Sequence, residues 1–431
     1  MDCHNLLNIF VIVFVKVCVN LKNMSIVKIS CLLLFNLVLH GTISAQTEQS
    51  LKAQAQILAQ KFIIVDGHVD LPYRLKVKNF RLEKEYLGIP YQTSEGDFDF
   101  LRAKKGGLDA PFMSIYIPSS YQVSGGAKEL ADSLINMIIY ITENQNKYFV
   151  LAKTPKEVIK AHKKGKIALP MGMENGAPVE NDLNLIPYFK KRGISYITLT
   201  HGRDNKICDS SYDTTHTWHG LSPYGFKVLD KMRESGIMVD ISHVSDSAFY
   251  QTLRYVKVPV IASHSSCRKF TPGFERNMSD DMITKMKQND GVIMVNFGST
   301  FLDGKIDPYN DSLRMALKDL LKEKGVEGGS NEGILIKETF VKQYPSIYSD
   351  VEKVADHVDH IVALAGVDHV GFGSDFDGVG DSLPTGLKDV SDYPNLLYVL
   401  LKRGYSESDI EKMCSGNIFR VWNKVLKRAS N

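Results

Sequence analysis

Apolar and polar positions follow two rhythms along this chain. Short apolar, β-branched runs recur: Ile63 to Leu71, Ala110 to Ile117, Lys166 to Met173, Ser195 to Thr200, Ile237 to Ser242, Val258 to Ser263, Gly291 to Phe297 and His369 to Ser374. Each has the length and composition of a buried strand. Between them apolar residues return at helical spacing, in Lys128 to Tyr148, Leu183 to Arg192, Pro223 to Ser235, Ser245 to Tyr255 and Ser279 to Asn289. Gly193 and Gly236 stop two of these helices. Strands alternating with helices, without hairpin signals, predict a parallel sheet. Eight of them predict a closed (β/α)8 barrel of the TIM type. An open doubly wound sheet is the alternative, but it gathers ligand residues at a switch point, not on nearly every strand. Thr47 to Gln60 reads as a leading helix, and Tyr73 to Leu108 as a long polar excursion after the first strand. A mostly helical insertion runs to Leu364, before strand eight, and the helices Tyr393 to Lys402 and Ser406 to Val425 close the chain.

The first 46 residues break this rhythm. After Met24 come Lys28, a mostly apolar run from Ile29 to Leu39, and the small-residue exit Gly41 to Gln46. That is the pattern of a secretory signal peptide, with the start at Met24 and cleavage near Ala45. The run is short for a membrane span of about 20 residues. The expected organisation is therefore an N-terminal extension and signal over residues 1–46 and one barrel domain over 47–431, exported to a periplasm or the outside. The six cysteines then fall to three, Cys208, Cys267 and Cys414, too few for a disulfide framework. The C-terminal segment from Lys424 is polar, with no lipid-anchor signal. A net charge of +3 without basic tracts among aromatics speaks against nucleic acid as a partner.

Chemistry enters at the strand ends. Six of the eight carry a polar side chain able to bind metal or move a proton: His68 with Asp70, Glu174, His201, His243, His264 and Asp375. In a barrel all these ends meet on one face. His68, Asp70, His243 and His264 exceed what one catalytic zinc with an open position needs. Glu174 is a carboxylate that can bridge two ions, and such a pair yields hydroxide near neutral pH and polarises a carbonyl. The parts match metal-assisted hydrolysis of an acyl bond. Other conspicuous residues read as structural: His357 and His360 on a helix, His162 at the surface, His216 and His219 in a loop, and Asp377 in a turn beside Gly378.

These stretches carry a resemblance. Asp66-Gly67-His68-Val69-Asp70-Leu71-Pro72, Glu174-Asn175-Gly176, Leu199-Thr200-His201, Asp240 to Ser245, Ser263-His264-Ser265-Ser266, Arg276-Asn277 and Gly373 to Gly378 resemble, in order and spacing, the membrane (renal) dipeptidases. With Gly386 to Val390 and Gly416-Asn417, they span Ile63 to Lys424. The resemblance implies an amidohydrolase-like barrel with two Zn2+ per chain that hydrolyses dipeptides through a metal-bridging hydroxide. It implies one zinc on His68, Asp70 and bridging Glu174, and a second on Glu174, His243 and His264. It further implies that His201 contacts the substrate and the developing oxyanion, that Arg276 holds the terminal carboxylate, and that Asp375 shuttles the proton to the leaving amine. The chain departs from mammalian relatives where Gly202-Arg203 follow His201 in place of a disulfide cysteine, and in lacking the anchor tail. No stable membrane anchor is expected after signal cleavage, and the resemblance admits a homodimer. Two other functions fit the same residues: a lactonase or deacetylase using the same metal pair, and an exported binding protein that has lost catalysis.

Overall fold

The computed structural model describes residues 48–77 and 91–429. The expected start, signal peptide and cleavage site lie outside these residues. Contacts divide the chain into Met1–Gln54 and Ala55–Asn431. Residues 48–61 are helical, as the pattern there predicts. Among the described residues no helix is long and apolar enough to cross a membrane.

In chain order the strands are β1 (Ile64–Val69), β2 (Leu108–Tyr116), β3 (Phe149–Leu151), β4 (Ile167–Leu169), β5 (Met171–Glu174), β6 (Ile194–Thr198), β7 (Met238–Asp240), β8 (Ile261–Ala262), β9 (Val292–Val295) and β10 (Val370–Phe372). Eight of them close a barrel in the order β1-β10-β9-β8-β7-β6-β5-β2, with every pair parallel and β2 returning to β1. The predicted (β/α)8 architecture is the observed one.

The third predicted strand needs correction. Pro170 has no N–H to give a ladder, and the run Lys166 to Met173 changes sheets there. Before it, β4 pairs with β3 in a separate two-stranded sheet; after it, β5 enters the barrel between β2 and β6. β3 escaped prediction because three residues at a helix exit show no period. The last predicted helix is also divided, into Glu407–Glu411, a π turn at Lys412–Gly416, and Asn417–Ala429. Asn417 Nδ2 donates to the carbonyls of Val367 and Val370 at 2.7 and 2.8 Å, tying this turn to β10.

Helix starts are set by side-chain caps that satisfy otherwise unpaired N–H groups. Ser222, Ser245 and Ser279 each accept the N–H three residues on, and Pro223 follows the first of them. The barrel interior is filled by Val65, Phe112, Tyr196, Met238, Ile261 and Met294, with Trp422 of the last helix against the Phe112 ring at 5.2 Å. This filling is the floor beneath the carboxyl-terminal face.

Candidate metal centre

Two buried aspartates fix the strand ends that matter. Asp66 on β1 accepts the N–H of His68 and of Ser374, each at 2.9 Å, and also the Tyr393 hydroxyl. Asp240 on β7 repeats the device, accepting the N–H of Ser242 at 3.1 Å and of Ser263 at 2.8 Å. Each carboxylate thereby binds its own chain to a neighbouring strand end just where a ligand residue follows.

The hydrogen bonds also decide which ring nitrogens are free. The Tyr196 hydroxyl donates to Gly67 O at 2.9 Å, so it accepts from His68 Nδ1, 3.0 Å away. That leaves His68 Nε2 as the nitrogen that faces the other strand ends. Ser263 Oγ likewise donates to Asp240 Oδ2 at 2.7 Å and takes the Nδ1 hydrogen of His264 at 2.7 Å, freeing His264 Nε2. Tyr196 reaches His68 across the barrel because β5 carries glycine opposite it. A Cβ on Gly172 would fall 1.9 Å from the tyrosine ring.

These free atoms converge. His68 Nε2 lies 3.3 Å from Asp70 Oδ2 and 3.3 Å from Glu174 Oε2. The other Glu174 oxygen, Oε1, lies 3.1 Å from His243 Nε2 and 3.5 Å from both His264 Nε2 and His201 Nε2. His243 and His264 bring their Nε2 atoms within 2.9 Å. Within 4.8 Å of one another stand the ligand atoms of three sets: His68, Glu174 and His264; Glu174, His201 and His243; His68, Asp70 and Asp375. The structure thus gathers all seven strand-end residues named from the sequence, and His201 and Asp375 stand as close to the cluster as the residues expected to bind metal do.

The electrostatics suit a bound cation. Burial works against the Glu174 charge, yet the histidines around it, His68 first, hold its pKa well below the carboxylate range. Burial also opposes charge on His68, but Tyr196, Glu174 and Asp70 outweigh it and raise the pKa. Burial, with Arg276 and neighbouring histidines, pushes His243 and His264 well below the usual imidazole value, so both are neutral donors. His68 Nε2 and Asp70 Oδ1 are buried without a hydrogen-bond partner among the described residues. The neutral His243 and His264 imidazoles and the Glu174 carboxylate, with orphaned atoms of His68 and Asp70 beside them, fit a divalent metal with zinc-like ligand preference.

Asp375 follows β10 on left-handed backbone, φ 64°. Burial first, then Asp70, raises its pKa to about 7. Arg276 is buried behind His264, donating to Ser265 Oγ and His264 O, each at 2.7 Å. Its Nε has no hydrogen-bond partner among the described residues. The cleft over this centre encloses about 710 Å³. Its walls include Tyr212, from the predicted loop Gly202 to Gly220, and Asp307 and Arg314, from the insertion helix Ile306–Glu323. That loop is braced from within: Asp209 accepts the N–H of Trp218 and of Gly220, both at 2.8 Å.

Two strand ends read as bare are not. β2 delivers Tyr116, whose ring lies 4.7 Å from that of His201 and lines the cleft. Just past β9, Asn296 donates to Asp375 Oδ2 at 2.8 Å. A tyrosine ending an apolar run looks like core and an asparagine like a turn, so neither stood out. Asp377 is in a turn, φ 65°, and it also pairs with Arg74 Nε at 2.8 Å. His162 is half-buried against Asp109 at 3.0 Å, which corrects its surface reading. His357 is fully buried, accepting the Cys267 N–H at 2.9 Å and donating to Leu302 O at 3.0 Å. His360 pairs with Asp280 at 2.7 Å, while His216 and His219 are exposed and absent from the cleft wall.

The family model for membrane dipeptidases, peptidase family M19, matches residues 52–431. The chain belongs to the membrane dipeptidase family. Its enzymes are metallo-dipeptidases, and this chain is one of them. It is 30% identical over 372 residues to dipeptidase TcpJ of Claviceps purpurea, covering 84% of this chain and 76% of that one. In fold it is similar to the probable dipeptidase PvdM of Pseudomonas aeruginosa, with a TM-score of 0.73, 24% identity, and 88% and 99% of the two chains covered. It is also similar to a metallopeptidase of Rhodobacter sphaeroides, solved with a phosphinate mimic of the dipeptide L-Ala-D-Ala. There the TM-score is 0.68 at 22% identity, with 84% and 99% covered.

Proposed function

We propose that this metallo-dipeptidase holds two zinc ions and cleaves dipeptides that carry a free C-terminal carboxylate. The observation that carries the proposal is Glu174, which turns Oε2 to His68 and Oε1 to His243 and His264. One carboxylate serving two groups of donors is the arrangement of a bridged ion pair. His68, Asp70 and Glu174 would hold one ion; Glu174, His243 and His264 the other. Such a pair supplies Lewis acidity that makes water nucleophilic near neutral pH and polarises a carbonyl.

The chain's own residues do the rest. His201, kept neutral by burial, donates to the carbonyl oxygen as negative charge develops there. Arg276, a buried guanidinium with a free Nε, is a partner for the substrate carboxylate. Asp375 takes a proton from the attacking water and passes it to the amine nitrogen as the C–N bond breaks. The Rhodobacter relative's dipeptide mimic supports this substrate class.

The test is a dipeptide library offered to zinc-loaded protein, each member beside its C-terminally amidated twin. Free acids should be cleaved and amides spared. Equal cleavage of the amides would refute the carboxylate clamp. Export is part of the same proposal, supported by the pattern from Lys28 to Gln46. N-terminal sequencing of the protein from its producing cells should find a start near Gln46, and a retained Met24 would contradict it.

A further inference from the structure

Asn296 lies directly after β9, fully buried, and cannot itself ligate zinc in the manner of its neighbours. Its amide has one possible orientation. The Gly298 N–H donates to Oδ1 at 2.7 Å, so Oδ1 is the accepting end and Nδ2 the donating one. That NH2 group donates to Asp375 Oδ2 at 2.8 Å, a contact between residues 79 apart in the chain. The main chain is held too, since Ser266 Oγ donates to Asn296 O at 3.0 Å. On the other side, the Asp375 N–H donates to His68 O at 3.1 Å. One carboxylate oxygen of Asp375 is thus engaged. The other, Oδ1, lies toward Asp70, for a Cβ on Gly378 would stand 2.2 Å from Asp375 Oδ1 and 2.2 Å from Asp70 Oδ2.

We propose that Asn296 is the positioning residue of the proton carrier: it holds Asp375 Oδ2 so that Oδ1 alone takes and delivers the proton. The inference rests on the dipeptidase reading above, in which Asp375 carries that proton. A terminal carboxylate torsion is broad, so without this donor the plane of the Asp375 carboxylate would swing over a wide arc. Only a narrow part of that arc points an oxygen at the reacting atoms. A residue that merely filled space would not impose that choice.

Asn296→Leu keeps the branched outline and removes the donor. Measured on the zinc-loaded full chain with a cleaved dipeptide, it should lower kcat and kcat/KM together by about 10- to 100-fold, leaving KM and zinc content unchanged. Added to Asp375→Asn, it should cost nothing further, because a group acting through Asp375 has nothing left to position. Asn296→Asp is the second variant. It keeps the acceptor for the Gly298 N–H, which guards the fold, and sets a carboxylate against Asp375; turnover should fall in the same way. Turnover within about two-fold of wild type in either folded variant would overturn the proposal. So would a loss that multiplies with that of Asp375→Asn, which would place the action of Asn296 elsewhere. If the wild-type protein cleaves no dipeptide, the parent reading fails instead, before any variant is compared.

Discussion

One added methyl group tests the site most severely. In Gly378→Ala the new Cβ would lie 2.2 Å from Asp375 Oδ1 and 2.2 Å from Asp70 Oδ2. That is roughly 1 Å or more inside ordinary van der Waals contact. Neither carboxylate can swing aside without loss. Asp375 is held through Oδ2 by Asn296 at 2.8 Å, and the Asp70 N–H is bound to Phe376 O at 2.8 Å. The turn itself cannot retreat easily, since the Asp377 N–H donates to Asp97 Oδ2 at 2.7 Å. The strain should cost about 1–3 kcal/mol of stability, as overpacking does. The greater effect falls on activity, because a shift of about 1 Å in a positioned group costs about 10²-fold. Here both Asp70, the proposed metal ligand, and Asp375, the proposed proton carrier, are displaced, so kcat/KM should fall by at least that factor and zinc content below the proposed two per chain. The assay is dipeptide hydrolysis with elemental analysis and a thermal melt. Gly202→Ala serves as control, as its Cβ would meet nothing within 4 Å. Wild-type zinc content with kcat/KM within about two-fold would refute the reasoning.

Four further outcomes follow from the structure. Asp375→Asn should retain its metal and lower kcat and kcat/KM alike by about 10²–10⁴, the usual worth of a positioned acid–base group; loss of metal would make Asp375 a ligand. Chelation should abolish hydrolysis and zinc restore it, and His243→Ala should bind one zinc fewer, as elemental analysis would show. His357 is held neutral, burial lowering its pKa from 6.5 to about 4. Its contribution to stability is therefore complete above pH 6.5 and is lost as pH falls toward 4, by about 3 kcal/mol. Urea titrations of metal-free protein across that range should show a shallower acid slope in His357→Gln, and equal slopes would contradict the assignment.

The barrel and its ligand ring were legible because each repeats a local signal. His68, Glu174, His201, His243, His264 and Asp375 all stand where an apolar run stops, and the fold needs only to close for them to meet. What stayed hidden depends on distant partners. Asn296 gains its meaning from a carboxylate 79 residues away, and Tyr116 from a histidine beyond the end of another strand. The positive φ at His243 and Asp375 carries no mark in composition either. Pro170 was in plain view, but which sheet each side of it would join depended on the short partner Phe149–Leu151.

Tyr196 has a consequence for how such an enzyme can change. It is fully buried, packs on Phe112 with ring centres 5.3 Å apart, and fits only because residue 172 is glycine. The same hydroxyl selects which nitrogen of His68 faces Asp70 and Glu174. Core and cofactor chemistry therefore share an atom. A lineage drifting toward a tighter or looser interior at positions 172 and 196 would retune its metal affinity without altering a ligand, and the two positions should be inherited as a pair. An engineer repacking this interior for heat tolerance would meet the same bargain, with the loss visible first in metal retention.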